Sequence, residues 1–303
     1  MPNPSSNNPT HLFAWQGIQL RVPQDWNPGL LAGTVRSGHA RLDDDDMARI
    51  EIRWQRGRSR ADLPAMTENL IHRLQRAADK RKQPFTATRD LNFAAPQGLQ
   101  ATAFGWKADV RAVNLLSYCP TCKRITLLCL MGRPAEKIEP IADKVFASFQ
   151  DHPQAGRATW AVYDLTCAVQ EDFQLARHTL NLQRVELAFQ SRSSEAIAAK
   201  FNLASLQLRN RTLRQWLGDT LHRELQPWQF ALAEETYRGH PALKLTGRPR
   251  VTGLRSLLKV RRRFFARVWQ CPDADKIYLA RWASPEDRLS GAEPFCDSIH
   301  CHD

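Results

Sequence analysis

Two short stretches hold the residues whose types and spacing are suited to chemistry. In SYCPTCKRIT, Cys119 and Cys122 flank Pro120-Thr121. A Cys-x-x-Cys carried on a tight turn points both sulfurs to one side, as tetrahedral zinc requires. The flanks VNLLSY and ITLLCLM read as strands, whereas redox cysteine pairs sit at a helix N-terminus where the dipole lowers the thiol pKa. Zinc, a redox pair and a turn with two inert thiols are the three readings. In the tail, FCDSIHCHD packs Cys296, His300, Cys301 and His302 together. Cys and His are zinc ligands. The tail can complete a cluster of Cys271, Cys301 and His302, or Cys296 can pack in the core while the histidines meet solvent. The candidate metal ligands are therefore Cys119, Cys122, Cys271, Cys301 and His302.

Other stretches carry weaker chemistry. Asp43-Asp44-Asp45-Asp46 offers clustered carboxylates to a hard cation, but without the Asp/Asn/Gly/Glu spacing of a calcium loop it reads as a solvated strand connection. Arg261-Arg262-Arg263-Phe264-Phe265 interleaves basic and aromatic residues along a strand. That is one way to hold single-stranded nucleic acid, and RNRTLRQW (209–216) adds charge upstream. The alternative is a solvated positive face. Tryptophans 15, 54, 106 and 282 fall at strand positions and read as core. His72 and His222 read as helix-surface residues. No phosphate-loop, dinucleotide, nucleophile-elbow or zincin motif is present.

The chain has 303 residues and a formal net charge of +12, which favours polyanionic partners: nucleic acid, anionic surfaces or acidic proteins. Seven cysteines are too few for a disulfide scaffold in a chain this long, and an odd number cannot all pair. The opening MPNPSSNNPTHLFAWQ has neither a basic region nor a long apolar run, and no later segment reaches the length of a membrane span. A soluble cytoplasmic protein is the expectation.

Paired anchors suggest a divergent tandem repeat. RIEIRWQ (49–55) matches RVELAFQ (184–190), and Ile71-His72-Arg73 matches Leu221-His222-Arg223. Gly98-Leu-Gln-Ala101 matches Gly239-His-Pro-Ala242, CPTCKRITL matches CPDADKIYL, and VFASFQDH matches FCDSIHCH. Trp15 and Trp160 open the two copies. In copy one, strands are expected at GIQLRVP and around 30–36, 40–42 and 49–56, with a helix from 62 to 80 capped by Ser59 and Asp62. Strands at 85–89, 98–107 and 110–131 follow, the last folded at the CPTC turn, with a closing helix over 135–149. Copy two repeats this plan with a shorter early region and a polar insertion near 191–211. The polar run 151–159 is the expected linker. The fold class is α+β: two tandem lobes, 1–152 and 158–303, each a mainly antiparallel sheet with a middle helix and a closing C-terminal helix.

GIQLRVPQDW resembles the opening of the PsbP-like and DcrB-like domains, and VFASF is similar to their last helix. The resemblance implies an α/β/α sandwich that mostly binds other macromolecules, and it implies no catalytic apparatus. The absent export signal, the CPTC turn and the Cys/His tail depart from that family. The expected function is that of a binding or adaptor protein with a protein partner and a small structural zinc site. The rivals are a nucleic-acid-binding protein using Arg261, Arg262 and Arg263, and an enzyme with a site between the lobes.

Overall fold

The structure is a computed structural model that describes residues 9–57, 60–153, 155–250 and 262–301. Ser59, Arg261 and His302 lie outside the described residues. The fold is α+β, dominated by antiparallel sheet, and it divides into two compact units, Met1–Pro153 and Gln154–Asp303.

Unit one opens with a hairpin of β1 (Thr10–Trp15) and β2 (Ile18–Pro23), turning on Gln16 and Gly17, both at positive φ. A seven-stranded sheet follows, with strand order β3-β4-β5-β9-β8-β7-β6. Its strands are β3 (Asn27–Gly33), β4 (Ser37–Asp43), β5 (Ala48–Arg56), β6 (Thr86–Thr88), β7 (Gln100–Lys107), β8 (Arg111–Tyr118) and β9 (Arg124–Gly132). Helix α1 (Leu63–Lys80) packs on β7 and β8, and α2 (Glu139–Ala147) packs on β2 and β8. Asp62 caps α1 by accepting a hydrogen bond from the Ala65 amide at 3.0 Å, so it stands at the cap itself and not three residues inside it. The closing helix begins at Glu139, four residues later than its apolar pattern suggested, because Arg133–Glu136 first makes a turn.

Unit two has the same order of elements. The hairpin of β10 (Arg157–Val162) and β11 (Leu165–Gln170) turns on Tyr163 and Asp164. The sheet order is β12-β13-β14-β18-β17-β16-β15. These are β12 (Gln174–Leu180), β13 (Arg184–Gln190), β14 (Glu195–Asn202), β15 (Trp228–Tyr237), β16 (His240–Pro249), β17 (Arg262–Cys271) and β18 (Lys276–Pro285). Three short helices, α3 (Ala204–Gln207), α4 (Leu213–Thr220) and α5 (His222–Leu225), stand where unit one has α1, and α6 (Ala292–Asp297) closes the unit.

Several expectations are corrected by this topology. RIEIRWQ lies in β5, which pairs with β9, but RVELAFQ is β13, one strand removed from β18. The strand of unit two in the position of β5 is β14, EAIAAKFN. A period-two pattern is shared by neighbouring strands, so the motif match slipped by one strand. The supposed polar insertion near 191–211 therefore contains a central, buried strand, and the early region of copy two is not shortened. Trp15 directly precedes its hairpin turn whereas Trp160 lies two residues further back, so the two do not occupy the same place. Asp151, assigned to a linker, is 4% exposed.

Candidate metal centres at two hairpin turns

The cysteine motifs mark one recurring place in the sheet. Cys119 follows β8, and Cys271 ends β17. Each begins the turn to the next strand, and the fifth residue of each turn, Lys123 (φ 59°) and Asp275 (φ 50°), is left-handed. The chain after the closing helix returns to this turn in both units. It brings Asp151 to Cys119 and Cys122 in unit one, and Cys301 to Cys271 and His240 in unit two. In each set the three donor atoms lie within 4.8 Å of one another.

Four of the five predicted ligands, Cys119, Cys122, Cys271 and Cys301, thus fall into two sets, one per unit, while His302 lies outside the described residues, and each set contains a residue the motifs did not flag. Asp151 had a signal, since it aligns with Cys301 six residues after the shared anchors Val145 and Phe295. His240 had one as well: it follows Gly239 as Leu99 follows Gly98, and both glycines have positive φ. The β7–β8 register pairs Gln100 with Tyr118, which carries Leu99 opposite Cys119. The β16–β17 register pairs Ala242 with Trp269, so two residues further on His240 stands opposite Cys271. Side chains directly opposite on one face of a sheet are neighbours.

The chemistry of the two sets differs. In unit one, Arg124 and Asp151 form an ion pair at 2.7 Å with side chains only 4% and 2% exposed. Arg124 also donates to the carbonyls of Gln16 (3.0 Å) and Val35 (2.9 Å), and the Cys122 thiol donates to Asp151 Oδ2 at 3.0 Å. Burial, and then the hydrogen bond and charge of Asp151, push the Cys122 thiol up to about 12. That direction is opposite to the lowered thiol pKa that redox cysteines use. In unit two the residue in the place of Arg124 is Lys276, whose ammonium reaches Asp164 at 3.3 Å. The donors left at the turn are two sulfurs and an imidazole. Burial raises Cys271 above the ordinary thiol range.

Cys296 is fully buried and accepts a hydrogen bond from Arg267 at 3.4 Å, so it belongs to the core and not to the tail cluster. Arg267, unremarked in the sequence, is 6% exposed and joins Glu235 (2.6 Å), Glu293 (2.7 Å) and the Tyr237 ring (4.3 Å). Asp43, Asp44 and Asp46 are each matched to an arginine: Arg41, Arg49 and Arg133. On β17, Arg262 pairs with Glu195 at 3.2 Å and Arg263 with Glu286 at 2.8 Å, so neither guanidinium presents an unmatched charge. Trp15, Trp54 and Trp282 are buried and Trp106 is half-buried, while His72 and His222 are exposed on their helices. Among the described residues no helix is long and apolar enough to cross a membrane.

No family model matches the sequence, and no curated protein matches it. Comparison with solved structures finds a fold-level resemblance to a PsbP protein and others. The cyanobacterial PsbP protein CyanoP from Synechocystis sp. PCC 6803 is 14% identical over 50% of this chain and 95% of its own, with a TM-score of 0.37. The Saccharomyces cerevisiae Ran-binding protein Mog1p is 10% identical over 48% of this chain and 96% of its own, with a TM-score of 0.33. The type VI secretion immunity protein TplEi of Pseudomonas aeruginosa, solved with a peptide, is 11% identical over 96% of this chain and 97% of its own, with a TM-score of 0.37. The likeness is one of fold and no closer.

Proposed function

We propose that the protein is a binding module built from two diverged copies of one lobe, and that unit one docks an acidic, apolar-faced segment of a protein partner. The observation that supports this reading is a difference in cover over one sheet face. In β18, Ile277 and Leu279 are 0% and 4% exposed, packed under Trp216, Leu217 and Leu221 of the short-helix layer. Ile125 and Leu127 hold the same positions in β9, yet they are only half-buried, because α1 packs on β7 and β8 and leaves β9 and β5 beside an open groove. The groove has a volume of about 370 Å³ and an apolar wall of Met66, Leu70, Ile125 and Leu127.

Its charge suggests the partner. Arg53 and Arg73 line the groove and, among the described residues, no acidic residue does; Arg53, 62% exposed, pairs with Glu51 at 2.8 Å just outside it, which leaves Arg73 as the exposed basic group of the rim. An amphipathic helix with acidic flanks meets both requirements, with apolar anchors for the wall and carboxylates for the rim. Nucleic acid held on β17 gains no support from arginines already matched by Glu195 and Glu286.

Photo-crosslinking tests the reading. A benzoylphenylalanine at the exposed groove residue Asn69 is expected to trap a discrete protein through an acidic segment. The adduct should fall with added salt and disappear in Leu127→Arg. The reading fails if the same proteins are trapped from Leu182, an exposed site in unit two, or if Leu127→Arg leaves the adduct unchanged.

A further inference from the structure

We propose that unit two binds one zinc ion through Cys271, Cys301 and His240, and that this ion fastens the C-terminal tail to the β17–β18 hairpin. The inference does not depend on the docking groove.

Three separate elements deliver the donors, and each is fixed in place. Cys271 closes β17 and pairs across the turn with Lys276. His240 opens β16 after a two-residue turn, Arg238-Gly239, in which both residues have positive φ, the geometry of a tight hairpin. Arg238 in that turn holds the tail: it donates to the carbonyls of Asp297 (2.5 Å) and Ile299 (3.1 Å). The Tyr237 hydroxyl adds a bond to Asp297 at 2.9 Å, and the Tyr278 hydroxyl one to the Cys301 carbonyl at 3.4 Å. Cys301 Sγ then lies 3.5 Å from His240 Nε2. Zinc–sulfur and zinc–nitrogen bonds of about 2.3 and 2.05 Å at a tetrahedral angle place sulfur and nitrogen about 3.6 Å apart, and two sulfurs about 3.8 Å apart. The His240–Cys301 spacing is already that of a zinc site, and the 4.8 Å bound on the set leaves about 1 Å of closure for the rest.

The donor set and its setting favour zinc over a hard cation. Two thiolates and a neutral imidazole suit zinc, and hard ions take oxygen ligands. His240 is 7% exposed and Cys271 is fully buried, while Cys301 is half-buried. Unit one supplies a contrast at the same place. There Asp151 replaces Cys301, Leu99 replaces His240, and Arg124 neutralises the carboxylate. An ion pair and hydrogen bonds make the join in unit one; zinc makes it in unit two.

The full chain, purified under reducing conditions and loaded with zinc, is expected to retain about one equivalent by elemental analysis. Cobalt in its place should give tetrahedral d–d bands with thiolate charge transfer. His240→Leu installs the residue that unit one carries there, and it should lower metal affinity at least tenfold, as should Cys301→Ser. Cys122→Ser should leave affinity unchanged. Far-ultraviolet circular dichroism of the metal-free His240→Leu variant, matching that of wild type, separates lost ligation from misfolding. Zinc below about 0.2 equivalents in wild type would overturn the proposal. So would retention in the His240→Leu/Cys301→Ser double variant, loss in Cys122→Ser alone, or a Cys271–Cys301 disulfide as the form isolated under reduction.

Discussion

Single residues set the chemistry at each turn. The exchange of Asp151 for Cys301, with Leu99 for His240, turns a place that an arginine closes into one that two sulfurs and an imidazole share. Charge burial also acts locally at Arg49 and Glu136. Glu136 accepts from Arg49 Nη1 at 3.0 Å, and the Arg49 side chain is 7% exposed. The hydrogen bond and charge of Arg49 outweigh burial and hold the Glu136 carboxyl below the usual range. A carboxyl depressed in the folded state contributes stability that is present above its unfolded pKa, about 4.3, and is lost as pH falls through the lower folded value. Thermal unfolding measured between about pH 6 and 2.5 should therefore show a shallower acid limb for Glu136→Gln than for wild type. Equal slopes would mean that the pair contributes nothing to acid sensitivity.

At the scale of elements, one strand pattern reports cover directly. β9 alternates buried and half-buried along its whole length, as a strand covered mainly on one face does, whereas β18 is buried on both faces under the short-helix layer. That layer depends on Trp216, which is fully buried, meets Phe201 edge-on at 4.9 Å and donates to Gln207 at 2.7 Å. Trp216→Ala should cost about 3–5 kcal/mol in urea unfolding. Removing the capping hydroxyl of α4 with Thr212→Ala should cost only about 1 kcal/mol. A Trp216→Ala penalty no larger than the cap's would show that the layer rests loosely on the sheet. At this scale much was legible in the sequence: β2, β5, the β8–β9 hairpin and α1 all stand where their periodicity put them. The cap of α1 at Asp62 and the late start of α2 were not, because they depend on local turn hydrogen bonds.

For the whole molecule, each unit carries its own core, and among the described residues the joins of Cys122 to Asp151 and of Cys301 to His240 each lie within one unit. Residues 1–153 and 154–303, expressed separately, should each unfold cooperatively, as independent cores do. A half that shows no cooperative transition in urea would mean that its core is incomplete alone. The net charge of +12 acts at this scale too, as a general bias towards acidic partners. The residue scale shows where that bias is matched internally, at Arg53, Arg262 and Arg263, and where it lines an apolar groove, at Arg73.

By itself the sequence determined the local elements: strands from alternation, the long helix from its apolar stripe, and tight turns at CPTC and CPDAD. It also matched Asp151 with Cys301 and Leu99 with His240, without revealing what either residue touches. Strand neighbours were a different matter. RIEIRWQ and RVELAFQ read alike, yet they occupy different rows of their sheets, since a period-two pattern fixes which face is buried and says nothing of which strand lies alongside. Only the tertiary structure decided that His240 stands beside Cys271, that the tail returns to both, and that Arg124 closes the matching place in unit one. Those contacts join residues tens to more than a hundred positions apart, and the register that makes them is set by packing of the whole sheet.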